Sequence, residues 1–100
     1  MSAYVISEVE VTDPVLMGKY RTLAEDSIAK YGGRYLVRGA SIDVVEGEWP
    51  PEKSLIIVEF PTMENARKWY ASPEYAEALA VRKTALRRRL IFCEGLFHKS

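Results

Sequence analysis

Four stretches of this chain carry apolar side chains at the two-residue period of a strand: Tyr4–Val11, Arg34–Arg38, Leu55–Phe60 and Leu90–Leu96. Alternation divides them into two faces. One collects Val5, Val9, Val11, Tyr35, Val37, Ile56, Val58, Phe60, Ile91 and Cys93, and is apolar enough to lie under helices. The other collects Tyr4, Ile6, Glu8, Arg34, Leu36, Arg38, Leu55, Ile57, Glu59, Leu90, Phe92 and Glu94. That second face mixes aliphatic bulk with arginines and carboxylates, too apolar for open water and too charged for an ordinary core.

Between the strands the period lengthens. Asp13-Pro14 is a cap acceptor followed by proline at the first helical position. Leu16, Tyr20, Leu23, Ala24, Ile28 and Tyr31 then follow at spacings of three and four, one stripe of a helix that Gly32-Gly33 ends. Gly39 to Pro51 reads as a loop in which Ile42–Val45 pairs briefly at most. Thr62 caps a short helix running through Ser72, and Ser72-Pro73 starts another, marked by Tyr75, Leu79, Arg82 and Leu86. Arg87–Arg89 fall at the junction of that helix and the last strand.

The order predicts an α+β fold, the ferredoxin-like βαββαβ arrangement, with helices on one face of an antiparallel sheet. Residues 1–97 form a single domain on this reading, and 98–100 are a tail. An uncovered sheet face of mixed character calls for a partner, and a second copy in a two-fold dimer, closing a dimeric α/β barrel, is the economical one.

Composition narrows the function. Fourteen basic residues balance fourteen acidic ones, so no field draws the chain to nucleic acid or an anionic membrane. No apolar run approaches a membrane span, and the first residues lack the basic-then-apolar plan of a signal peptide. The lone Cys93 fits a reducing, cytoplasmic setting and reads as a core residue. One histidine, His98, cannot build a histidine triad or a multi-histidine metal site within the chain. No metal or cofactor is expected. Gly32-Gly33 follows a helix instead of opening one, so it is not a phosphate loop.

Tyr31-Gly32-Gly33-Arg34-Tyr35-Leu36-Val37-Arg38-Gly39, Glu46-Gly47 with Trp49, and Ile57-Val58-Glu59-Phe60-Pro61 form an ordered set. Ala66, Trp69-Tyr70, Ser72-Pro73-Glu74-Tyr75, Arg82 and Glu94-Gly95 continue it. With these residues the chain resembles, over essentially its whole length, the family known as domain of unknown function 1330. The resemblance implies membership of the dimeric α+β barrel superfamily. That group includes cofactor-free oxygenases and isomerases as well as effector-binding modules, often with ligands held between sheet and helices.

Two readings of the charged face stay open. Arg34 and Arg38 offer planar donor forks for an anionic ligand, while Glu59 or Glu94, desolvated, would serve as a general base. Alternatively these groups pair with one another across the dimer and set its register. Trp69, Tyr70 and Tyr75, with Tyr20, would wall a small-molecule pocket or simply fill the core. Arg82 shares the line of Tyr75 and Leu79 and would turn toward that pocket; Trp49 suits a lid or a dimer contact. The expectation is a small-molecule-binding homodimer, either a cofactor-independent oxygenase or isomerase or a non-catalytic structural or ligand-sensing module.

Overall fold

In the computed structural model, residues 1–96 are described, so the expected tail and His98 lie outside the described residues. The elements are β1 (Ala3–Val11), α1 (Pro14–Lys30), β2 (Arg34–Arg38), β3 (Ser54–Phe60), α2 (Met63–Tyr70), α3 (Pro73–Ala85) and β4 (Leu86–Glu94). The strands form one antiparallel sheet in the order β2-β3-β1-β4, and the helices cover one side of it. This is the ferredoxin-like α+β fold.

The helix boundaries follow their local signals. Asp13 Oδ1 accepts from the amides of Val15 and Leu16 at 3.1 and 3.2 Å, with Pro14 next in line. Thr62 and Ser72 cap α2 and α3 in the same manner, and Pro73 turns the chain between them. At the end of α1, Gly32 takes φ +81°, a conformation that glycine adopts without strain. Gly33 lets the backbone pass close to the core, since a Cβ there would sit 2.7 Å from both Ile28 and Phe60 side-chain atoms.

The core lies between β1 and β3 of the sheet and the helices, with Phe60, Trp69, Tyr75 and Leu86 among its most buried side chains. Trp69 packs 5.3 Å from Phe60 and 4.2 Å from Tyr75 between ring centroids. Its indole N–H donates to Ser27 Oγ at 3.0 Å, and Ser27 in turn donates to the Ala24 carbonyl. Burying that indole therefore leaves no donor orphaned.

Three sequence expectations are corrected. First, β4 begins at Leu86, not Leu90, so Leu86 is a strand residue and Arg87–Arg89 belong to the sheet. The strand ends at Glu94, short of Leu96. The Ala85 carbonyl accepts from both Thr12 and Asp13 amides, which pins the start of β4 beside the end of β1. Second, the alternation in β4 is inverted. Val5 opposes Phe92, Ser7 opposes Leu90, and Val9 opposes Arg88, so Leu86, Arg88, Leu90 and Phe92 face the helices. Glu94, opposite Ala3, shares their side, whereas Ile91 and Cys93 stand on the open face and are exposed.

Third, the β2–β3 register shifts between Tyr35 and Val37. Beyond this bulge Val37 opposes Ile57 on the open face, and Arg38 opposes Ile56 on the helix side. As expected of a loop in which Ile42–Val45 pairs briefly at most, the chain from 39 to 53 forms no strand.

Candidate functional site

The corrected register brings an arginine into the space between sheet and helices. Arg88 projects from β4 beside Val9, and its guanidinium is partly buried. One Nη donates to Tyr20 Oη at 2.7 Å, the other to Tyr75 Oη at 2.9 Å. Those hydroxyls lie 2.5 Å apart, and their rings meet edge to face at 6.3 Å. Tyr20 comes from the stripe of α1 and Tyr75 from the first turn of α3, so three elements converge on one polar knot.

No carboxylate forms an ion pair with Arg88 among the described residues. Proton counting defines what the knot lacks. The two phenols carry two protons, and one closes the Tyr20–Tyr75 bond while both oxygens accept from Arg88. One phenolic O–H and three guanidinium N–H remain, a surplus of donors without an acceptor among the described residues. Such a group receives an oxyanion or a carbonyl.

A cavity of about 30 Å³ adjoins it, lined by Ser7, Met17, Tyr20, Tyr35, Trp69 and Arg88 among apolar neighbours. This space suits one or two waters, so a larger guest requires the walls to part. Ser7 is buried in the middle of β1, and no side-chain hydrogen bond is formed by its hydroxyl among the described residues.

Burial pushes the Tyr75 phenol far above its ordinary value, and neighbouring Tyr20 adds to this against the opposing influence of Arg88. Burial likewise pushes Tyr35 up to about 12, with Tyr20 adding and Arg38 opposing. At Arg88 burial acts against the charge, but Tyr20 and Tyr75 outweigh it and hold the guanidinium more firmly protonated than usual. Near neutral pH the knot therefore sets the Arg88 cation against a neutral Tyr75 phenol.

The residues expected from sequence fall into separate places. Trp69 and Tyr75 join the knot or its cavity. Tyr70 sits outside them, partly exposed, its ring 6.0 Å from both Trp69 and Phe92. Arg34 and Glu59 pair on the open face at 2.8 Å, Arg34 being 74% exposed and Glu59 17%. The hydrogen bond from Arg34 holds the Glu59 carboxyl below its ordinary value, the opposite of a desolvated base. Arg38 lies across the bulge from them, paired with Glu25 of α1 and stacked 4.4 Å over the Tyr35 ring. Glu94 is exposed at the end of β4, and Arg82 on α3 does not line the cavity. Trp49 donates to the Lys53 carbonyl at 2.8 Å within the loop, apart from this cavity.

Arg88, the pairing role of Tyr20 and Ser7 were missed by sequence reasoning. Ser7 did leave a signal, as the one polar residue among Ala3, Val5, Val9 and Val11 on its face. Arg88 left none, because its side of the sheet depends on register. Among the described residues no group of histidine, cysteine or acidic side chains is arranged to hold a metal. No described helix is long and apolar enough to cross a membrane.

A ferredoxin-like sheet with a polar knot under its helices defines the structural class. The chain belongs to the family described as domain of unknown function DUF1330, whose model matches residues 2–96. No curated protein matches it. Among solved structures it is similar to a protein of unknown function from Rhodopseudomonas palustris, at 17% identity and TM-score 0.78 over 97% of this chain and 84% of that one. It is also similar to SnoaB, a cofactor-independent oxygenase from Streptomyces nogalater, at 10% identity and TM-score 0.68 over 97% and 95%. A third is a dimeric ferredoxin-like protein of unknown function from Bacteroides fragilis, at 16% identity and TM-score 0.65 over 94% and 96%. At these identities the likeness is one of fold.

Proposed function

We propose that this protein binds a small enol or phenol between sheet and helices and acts on it without a cofactor, as an oxygenase or isomerase. The observation that carries the reading is the half-buried Arg88 guanidinium, held by two tyrosine hydroxyls and paired with no carboxylate among the described residues. An enol placed against it gives up its O–H proton to solvent water more readily, because the fixed cation and the spare phenolic proton stabilise the oxyanion left behind. The electron-rich carbon so produced either reacts with dioxygen or is reprotonated elsewhere, which are oxygenation and isomerisation. The fold shared with a cofactor-independent oxygenase supports this direction. Trp69 and Tyr75 keep the wall role expected for them. Arg34 and Glu59, fully engaged with each other on the far face, are assigned to pairing.

The test uses 4-nitrophenol, whose ionisation is visible by absorbance. Its apparent pKa should fall by about one unit or more on the protein and return to the free value with Arg88→Gln. An unshifted or raised pKa in the wild type sinks the oxyanion reading and leaves a binding module.

We further propose that the open face pairs with a second copy. It presents Ile6, Val37, Ile57 and Ile91, with Ile91 49% exposed, and its rim carries opposed charges in the pairs Glu8–Arg89 and Glu10–Arg87. A dimeric relative of the same fold supports this. Native mass spectrometry should give twice the mass of the chain; a monomer at micromolar concentration rejects it.

A further inference from the structure

A second cavity stands against the first. It has about 310 Å³ of accessible space and is lined by Val9, Met17, Arg21, Arg38, Ser54 and Ile56 among others. Val9, Met17 and Ile56 line both cavities, so they form the partition between a small inner chamber and a larger one beside it. Val9 and Ile56 are sheet residues fixed by register, whereas Met17 is an unbranched side chain that repacks at low cost.

The outer chamber carries charge of one sign. Arg21 forms no ion pair among the described residues. Arg38 is turned into this space by the β2 bulge, and its pairing with Glu25 is made between side chains 41% and 44% exposed. An ion pair so open to water contributes little, so Arg38 is easily shared with an incoming anion. The residues opposed to Arg38 across the sheet run Ile56, Ser7 and Leu90, three strand spacings or about 14 Å to the strand that bears Arg88. Cations thus stand at both ends of one partitioned space, with apolar walls between.

We infer that the outer chamber is the entrance and second anchor of the site, with Met17 as its gate. The guest is an elongated, flat anion: an enol or phenol oxygen at Arg88 and a carboxylate at Arg21 and Arg38. This rests on the reading of Arg88 given above. It assigns to Arg38 an anion-binding role on the helix side of the sheet, not on the face where alternation had placed it.

Two probes separate the claims: 6-hydroxy-2-naphthoate, with a phenol at one end and a carboxylate at the other, and its neutral methyl ester. Titration calorimetry on the wild type should show the acid binding more tightly than the ester. Changing both Arg21→Gln and Arg38→Gln should weaken the acid about tenfold or more and leave the ester within about twofold. These side chains are exposed or half-exposed, so the variant folds. Arg88→Gln, or Tyr20→Phe should the former be unstable, should weaken both probes alike. Met17→Ala should speed association of both several-fold in stopped flow. If the double variant loses neither probe, or both equally, the entrance inference fails while the Arg88 site stands. If neither probe binds the wild type, the Arg88 reading falls with it.

Discussion

Arg34 and Arg88 belong to the same sheet and answer opposite problems. Arg34 stands on the open face, 74% exposed, with Glu59 at 2.8 Å. There water does most of the work of solvating the charge, and the pair adds little. Arg88 lies under the helices, where water is largely excluded, yet its partners are two neutral hydroxyls. A guanidinium in that position costs desolvation, which the two tyrosine oxygens outweigh. The open face thus pairs its arginine with a carboxylate, whereas the covered face holds Arg88 against two tyrosine hydroxyls.

The widest test of the contrast lies beneath Arg88. Trp69→Ala should cost about 3–5 kcal/mol, read by urea unfolding, since it empties the centre of the aromatic core and removes the indole donor to Ser27 Oγ. A cost under about 1 kcal/mol would mean that this side of the sheet is loosely packed, and that the contrast with the open face is overdrawn. Next comes Tyr75→Phe, which should lose about 1–2 kcal/mol because Arg88 is left with one phenol.

Arg88→Met should stay within about 1 kcal/mol of the wild type, or exceed it, while binding of 4-nitrophenolate disappears. A loss of 3 kcal/mol or more would make Arg88 a structural residue and break the comparison.

Alkaline titration sharpens the same point. The neutral Tyr35 phenol is favoured in the fold, with a pKa pushed up to about 12 from 10.0, so the unfolded chain releases that proton first. Its contribution to stability is whole below about pH 10 and is lost as pH rises toward 12. Phenolate absorbance should show Tyr35 ionising only at that alkaline end and Tyr75 later still; ionisation of either near pH 10 would contradict its burial.

The smallest effect belongs to the open face. Arg34→Ala should cost less than about 1 kcal/mol. The depressed Glu59 pKa means its contribution is present above the unfolded value and is lost as pH falls through the folded one. The difference between variant and wild type should accordingly vanish in acid, and a difference that persists there would point to packing by the arginine stem.

Signals carried by neighbouring residues were legible in advance. Asp13-Pro14, Thr62 and Ser72-Pro73 mark helix starts because a cap acts within three residues of itself. Trp69 and Tyr75 read as pocket walls only through the family resemblance, and by their size equally as core. What failed was parity. Leu86 to Arg89 are residues that also suit a helix, and only pairing with Val11 to Glu8 makes them a strand. The bulge after Tyr35 then turned Arg38 away from the face that strict alternation assigned to it.

Alternation, caps and apolar stripes in the chain itself determined the element order, the ferredoxin-like class and the presence of a face left uncovered, since each depends on contacts between near neighbours. Which arginine entered the interior was decided only in three dimensions. A shift of one residue in cross-strand register exchanges the two faces of a strand, and the bonds that set register join residues up to about 90 positions apart.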